Sequence, residues 1–203
     1  MKRILLLGDA ANAPYHPLTR VEPGLRRALD GLGTLEVRTD YRALKCAELS
    51  QFDMIVSYID TFPDMGPFEA ELAQYIRGGG RVLALHNGII TPDGSALASC
   101  YGGVFLTHPE YQPLRYRAAP QAGWLEPRAF EMAEEPYMVR PLDGENEVFL
   151  TFELDGHAFP AGWIRRAGRG SVLYLAPGHD DRTTENPAFT HLLRQCAARL
   201  LND

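Results

Sequence analysis

The chain has 203 residues, of which 45% are hydrophobic and 23% are charged, proportions typical of a globular protein. Its formal net charge of -6 argues against a nucleic-acid partner, because contacts to phosphates need a basic surface. The three cysteines lie far apart and form no CxxC pair, which argues against a disulfide framework and favours a reducing, cytoplasmic location.

The N-terminal apolar run is short. Residues 4–7 are apolar, and Gly8 and Asp9 end the run. Four residues are too few for the apolar core of a signal sequence or for a membrane span. The run therefore predicts a first buried strand and no membrane association.

The first half of the chain predicts alternating strands and helices. Short apolar runs indicate strands buried on both faces, and apolar residues at helical spacing indicate helices. In chain order we expect a strand over 3–7, a helix over 22–32, a strand over 35–38, a short helix over 41–49, a strand over 54–58, a helix over 67–77 and a strand over 81–85. This order implies a parallel sheet with right-handed crossovers.

The second half is less regular. Its prolines predict irregular or antiparallel segments between residues 114 and 140. We further expect a short helix over 95–101, a hairpin of strands over 147–154 and 160–166, a strand over 171–175 and a final helix that begins at Asn186-Pro187. No linker or repeat interrupts the chain, so residues 1–203 are predicted to form one α/β domain.

Three histidines follow predicted buried strands. His16 lies in the loop after the first strand, His86 directly follows residues 81–85, and His179 follows residues 171–175. Side chains just beyond the carboxyl ends of parallel strands face the crevice where open α/β sheets bind ligands. If the three strands are parallel, the imidazoles converge, where they can transfer protons or bind a metal. The alternative for each histidine is a helix cap or a loop hydrogen bond.

Acidic and phenolic side chains supply further candidates. Asp180 directly follows His179 and can either orient its imidazole or cap the next segment. Glu134 and Glu135 form an acidic pair before Tyr137, for which a solvated loop is the alternative. Weaker candidates are His108, Asp9 and Asp60.

Several common nucleotide and hydrolase motifs are absent from the sequence. There is no P-loop, no G-x-G-x-x-G after a strand and no G-x-S-x-G, so nucleotide binding by those motifs and a serine-hydrolase elbow are disfavoured. Cys100 is predicted to be a small buried apolar side chain.

Five segments resemble the ThuA-like family, which is named for trehalose utilisation. They are residues 79–86, residues 101–105 with His108-Pro109, residues 134–137, residues 160–174 with Gly178-His179-Asp180, and residues 186–189. The block from residue 160 to residue 180 is the most specific. The first 75 residues resemble α/β proteins in general.

The resemblance implies a flavodoxin-like three-layer sandwich with a mostly parallel central sheet and an antiparallel excursion, as in class I glutamine amidotransferases. Their nucleophile elbow reads G-x-C-x-G, and residues 84–88 of this chain correspond to it with His86 at the nucleophile position. An imidazole cannot replace the thiolate that forms a glutamyl thioester, so glutaminase activity is not expected. The loop over 8–18 keeps one histidine where the family has a more histidine-rich opening.

The resemblance also implies a role in carbohydrate metabolism, with a sugar or keto-sugar as the small-molecule ligand. We assign no metal ligand and identify no cofactor, and the fold is compatible with a homodimer. The residues predicted to be catalytic are His86, His179 and Asp180, and those predicted to bind the ligand are His16, Asn87, Glu135 and Tyr137. Two alternatives stay open, a metal-dependent hydrolase or lyase and a non-catalytic amidotransferase-like binding or interaction protein.

Overall fold

A computed structural model describes residues 1–11, 13–60 and 65–203. The strands are β1 (Arg3–Gly8), β2 (Thr34–Arg38), β3 (Met54–Tyr58), β4 (Arg81–Leu85), β5 (Gly103–Thr107), β6 (Gln112–Ala118), β7 (Ala129–Glu134), β8 (Met138–Pro141), β9 (Asn146–Leu154), β10 (His157–Ala167) and β11 (Gly170–Leu175). The helices are α1 (Leu18–Leu29), α2 (Cys46–Leu49), α3 (Phe68–Arg77), α4 (Ala96–Tyr101), α5 (Asp181–Thr184) and α6 (Pro187–Leu201). No helix within these ranges is long and apolar enough to cross a membrane.

The main sheet has nine strands in the order β2-β1-β3-β4-β11-β10-β9-β6-β7, and β5 pairs with β8 separately. The strands from β2 to β11 in this order are parallel, and every pairing from β11 to β7 is antiparallel. The predicted α/β class is confirmed, but the sheet is evenly mixed rather than mostly parallel. The reason is local, because two-residue turns join β9 to β10 and β10 to β11, and such turns connect antiparallel strands.

The helices form two groups that follow from the direction of the crossovers. In one group α1 contacts α5 and α6, and in the other α3 contacts α2 and α4. The chain leaves β1 toward β2 and later returns past β1 to β3, and right-handed crossovers in opposite directions place helices on opposite faces of a sheet. The parallel strands are consequently covered on both sides, and every residue of β3 and β11 is buried.

Two helix predictions need correction. The helix predicted over 22–32 runs from Leu18 to Leu29 and contains Pro23, which the sequence interpretation had placed at the helix start. Pro23 lies beyond the first turn, so the helix gives up one intrahelical backbone hydrogen bond at this position. The single helix predicted over 41–49 is divided into a 3₁₀ turn, Tyr41–Ala43, and α2.

Candidate functional site

The three strand-end histidines meet at one edge of the sheet. They follow β1, β4 and β11, which are all parallel, so their loops open on the same side. The ring centroids lie 5.0 Å apart for His16 and His86, 5.1 Å for His16 and His179, and 5.4 Å for His86 and His179. The predicted convergence is confirmed.

His86 is held inward by a tight turn. β4 ends at Leu85 and the chain enters a 3₁₀ turn, His86–Ile89, in which His86 has a φ of 47°. That left-handed conformation is uncommon outside glycine and marks a constrained backbone. Gly88 lies so close to β3 that a Cβ atom there would collide with the Ser57 carbonyl oxygen. The imidazole of His86 is fully buried as a result.

Hydrogen bonds determine the tautomer of two imidazoles, those of His16 and His86. The His86 Nδ1 lies 2.6 Å from the Ala176 carbonyl oxygen, and the His16 Nδ1 lies 2.7 Å from Asp60 Oδ1. Both oxygens accept, so each Nδ1 donates and each neutral ring presents an unprotonated Nε2. Burial lowers the pKa of His86 to about 3, which keeps that ring neutral.

Glu135 completes the cluster. Its Oε2 lies 3.0 Å from His179 Nδ1, 3.6 Å from His86 Nε2 and 3.7 Å from His108 Nδ1. Burial alone would raise the pKa of Glu135, but the neighbouring imidazole of His179 outweighs it and holds the pKa well below its usual range. The same carboxylate outweighs burial at His179 and raises the pKa of that ring.

Four side chains offer one ligand atom each to a common point. The atoms come from His16, His86, Glu135 and His179, and all lie within 4.8 Å of one another. His86 Nε2 is buried, is an acceptor and has no hydrogen-bond partner among the described residues, whereas Glu135 Oε2 has His179 Nδ1 beside it. Imidazole nitrogens with one carboxylate oxygen are a donor set that suits Zn²⁺ and similar ions. The sequence interpretation assigns no metal ligand but leaves a metal-dependent enzyme open as an alternative, and this geometry is compatible with that alternative.

Of the two roles that the sequence allows for Asp180, the structure shows the helix cap. Its carboxylate accepts bonds from the Arg182 backbone amide at 2.9 Å, from Arg182 Nε at 2.8 Å and from the Thr183 amide at 3.4 Å. It therefore caps α5, and Arg182 holds the pKa of Asp180 low against the effect of burial. The imidazole of His179 contacts Glu135 instead, so the prediction that Asp180 orients it is wrong.

Asn87 also differs from its predicted role. Its side chain is fully buried, and neither amide atom has a hydrogen-bond partner among the described residues. The turn that points His86 inward also buries Asn87, which is not part of the cavity wall described below. Direct ligand binding by Asn87 is not supported.

A cavity of about 1010 Å³ opens in front of the cluster. His16, Glu135, Tyr137 and His179 form its polar floor, and the exposed side chains of Tyr15 and Leu106 stand at its mouth. Burial raises the pKa of Tyr137, so its phenol stays protonated, and the hydroxyl lies 3.5 Å from His16 Nε2. The cavity therefore joins a polar floor to an apolar rim.

The sequence interpretation undervalued three residues that belong to the site. Asp60 directly supports His16 and follows β3, so the strand-end rule that identified the histidines also applies to it. His108 lines the cavity and stacks on Tyr137 with ring centroids 5.3 Å apart. Glu134 is fully buried, and burial raises its pKa to about 7 although three backbone amides oppose that shift. The sequence around Glu134 has no periodic pattern that indicates that its side chain is buried.

Several solved structures have a fold similar to that of this chain. A ThuA-like protein from Bacteroides uniformis superposes with a TM-score of 0.79 and 18% identity, over 98% of this chain and 91% of that one. A ThuA-like protein from Parabacteroides merdae gives 0.81 and 14% identity, over 98% and 90%. A β-galactosidase from Rahnella sp. R3 gives 0.71 and 14% identity, over 98% of this chain and 31% of that enzyme.

The structural similarities show the fold, whereas comparison with family models identifies the family. No curated protein matches the chain in sequence. The family model ThuA, described as trehalose utilisation, matches residues 21–198, which is most of the chain. The protein therefore belongs to the ThuA family.

Proposed function

We propose that this protein is a metal-dependent enzyme of carbohydrate metabolism that transforms a sugar or keto-sugar at the carboxyl edge of the parallel strands. The observation that carries the proposal is the convergence of three imidazole nitrogens and one carboxylate oxygen within 4.8 Å. This choice favours the metal-dependent alternative raised by the sequence and keeps the carbohydrate substrate that the family resemblance implies.

The unpaired acceptors support a cation. His86 Nε2 is a buried acceptor with no hydrogen-bond partner among the described residues, and it faces Glu135 Oε2 at 3.6 Å. A buried lone pair beside a carboxylate oxygen is unfavourable unless a positive charge lies close to both. In two of the imidazoles the Nδ1–H also donates a hydrogen bond to an oxygen, as the second nitrogen of a metal-ligating histidine usually does.

The cavity supports a polyhydroxy substrate. A divalent ion held by the cluster would supply Lewis-acid polarisation of a carbonyl or hydroxyl oxygen. The Tyr137 hydroxyl and the imidazole of His108, whose side chain is 35% exposed, would bind substrate hydroxyls or transfer protons to and from them. Phe105 and Leu106 offer apolar surface for the C–H face of a sugar ring.

Glutaminase activity is not part of the proposal. The position that resembles the amidotransferase nucleophile is occupied by His86, whose imidazole is neutral and turned toward the cluster. Cys100 is buried in α4 and is not among the residues that line the cavity. A thioester intermediate therefore has no thiolate on the described cavity wall.

The test is metal analysis of protein purified without a histidine tag, followed by titration of the metal-stripped, folded protein with Zn²⁺ and Co²⁺. We expect one ion per chain. Calorimetry of the loaded protein with trehalose, glucose and a 3-keto-glucoside then tests the substrate class. A folded protein that takes up neither ion contradicts the metal-dependent proposal, and sugar binding without metal would favour the non-catalytic alternative.

A further inference from the structure

We infer that Glu134 is a positioning residue for this candidate metal centre, because it fastens the segment that carries Glu135 to the loop that carries His179. The inference rests on the proposed metal site. Glu134 ends β7, and its fully buried Oε2 accepts hydrogen bonds from the backbone amides of Gly178 at 2.7 Å and His179 at 3.3 Å. Its Oε1 accepts from the amide of Glu135 at 2.8 Å.

The sheet order shows why such a connection is needed. β7 lies at the edge of the main sheet, and three strands separate it from β11. No ladder of backbone hydrogen bonds therefore sets the end of β7 against the loop after β11. Glu134 makes that connection through one side chain, and it does so directly beside both Glu135 and His179.

The loop is shaped to receive this carboxylate. Gly178 has a φ of 143°, in the region that favours glycine, and its amide and the next one point at the same oxygen. Successive amides directed at one anion form a compact anion-binding site. Because both amides belong to the segment that bears His179, movement of the carboxylate moves the imidazole.

Charge gives an independent reason for a carboxylate here. The buried carboxylate of Asp180 is paired with Arg182, whereas Glu134 has no Lys or Arg partner in the described ranges. Three neutral imidazoles and the Glu135 carboxylate would leave a bound divalent ion with one uncompensated positive charge. An ionised Glu134 carboxylate beside the cluster would offset that charge.

The experiment compares Glu134→Gln and Glu134→Asp with Glu131→Gln, a matched control on the exposed side of β7. Each metal-stripped full-length variant is titrated with Zn²⁺, and Co²⁺ absorption in the visible range reports the ligand geometry. Partners of this kind usually change metal affinity about 10–100-fold. We expect that loss and an altered Co²⁺ spectrum for Glu134→Gln, a smaller loss for Glu134→Asp and wild-type behaviour for Glu131→Gln.

The inference is overturned if Glu134→Gln binds Zn²⁺ within twofold of wild type with an unchanged Co²⁺ spectrum, whatever its melting temperature. If Glu134→Gln does not fold, Glu134→Asp decides, and wild-type affinity and spectrum in that variant likewise overturn it. Failure of the wild-type protein itself to bind either ion is a different result, because it removes the proposed function on which the inference depends.

Discussion

The parallel and antiparallel halves of the main sheet contribute to the site in different ways. The parallel half, β2-β1-β3-β4-β11, supplies all three converging imidazoles from loops at one edge. The antiparallel half, β10-β9-β6-β7, supplies the carboxylate of Glu135 from the residue that directly follows β7, a strand remote from the parallel half in the sheet order. Strand direction places the imidazoles, whereas tertiary packing places the carboxylate.

This difference is visible in the strands themselves. β3 and β11 are buried along their whole length, so their direction and register are set by a continuous core. β6 alternates, with Leu114 and Tyr116 buried and Arg115 exposed between them. β6 is therefore buried on one face only, unlike β3 and β11.

The largest expected effect comes from removing an imidazole of the parallel half. His86→Ala should weaken Zn²⁺ binding at least about 100-fold, because it deletes a ligand whose other nitrogen is fixed on Ala176. Isothermal titration measures the affinity. His157→Ala is the control, since His157 is exposed at the β9–β10 turn and should bind as wild type does. Equal affinity in both variants would remove His86 from the ligand set.

A smaller effect is expected from Gly88→Ala, which tests how tightly the parallel half holds its turn. The added methyl group meets the Ser57 carbonyl oxygen on β3 and forces the backbone to shift, at a cost of roughly 1–3 kcal/mol. Chemical denaturation of metal-free protein measures the loss. Gly123→Ala is the control, because a Cβ atom there has no neighbour within 4 Å. Unchanged stability would show that the turn is not constrained by β3.

The contribution of the antiparallel half is tested by Glu135→Gln. An amide oxygen is a weaker ligand than a carboxylate, and we expect affinity for Zn²⁺ to fall about 10-fold. Glu147→Gln, at an exposed position of β9, is the control and should bind as wild type does. A larger loss than that of His86→Ala would reverse the ranking of the two halves.

The smallest effect is expected at the surface. The Arg3 amide bonds Asp53 Oδ2 at 2.8 Å, and this bond together with Lys2 lowers the pKa of Asp53. A carboxyl whose pKa is lower in the folded state than in the unfolded state stabilises the fold. This stabilisation is complete above the unfolded pKa of about 3.9 and is lost as the pH falls through the folded pKa. Asp53→Asn should therefore cost less than about 1 kcal/mol at pH 7 and nothing in strong acid.

Thermal melts at both pH values check this prediction. Asp143→Asn, at another exposed position, is the control and should match wild type throughout. A gap between Asp53→Asn and wild type that persists in strong acid would show that the charge of Asp53 is not its cause.

Much of the parallel half could be predicted from the sequence, because apolar runs mark buried strands and parallel strands share an edge. That rule alone places His16, His86 and His179 together. It could not predict that the end of β7 lies beside the loop after β11, since no periodicity encodes contact between strands that do not pair. The sequence marks Glu134 as part of an acidic pair but not as a buried residue, because glutamates are rarely buried. Asp180 was misassigned because a cap and an imidazole partner have the same sequence pattern.

The spacing of the four ligand atoms along the chain has a thermodynamic consequence. They belong to residues 16, 86, 135 and 179, so an unfolded chain does not present them together. An ion bound only by the folded state adds RT ln(1 + [M]/Kd) to the free energy of unfolding, about 4 kcal/mol at a thousandfold excess over Kd. With such a site, the resistance of this protein to heat and proteolysis would follow the supply of the ion in its surroundings.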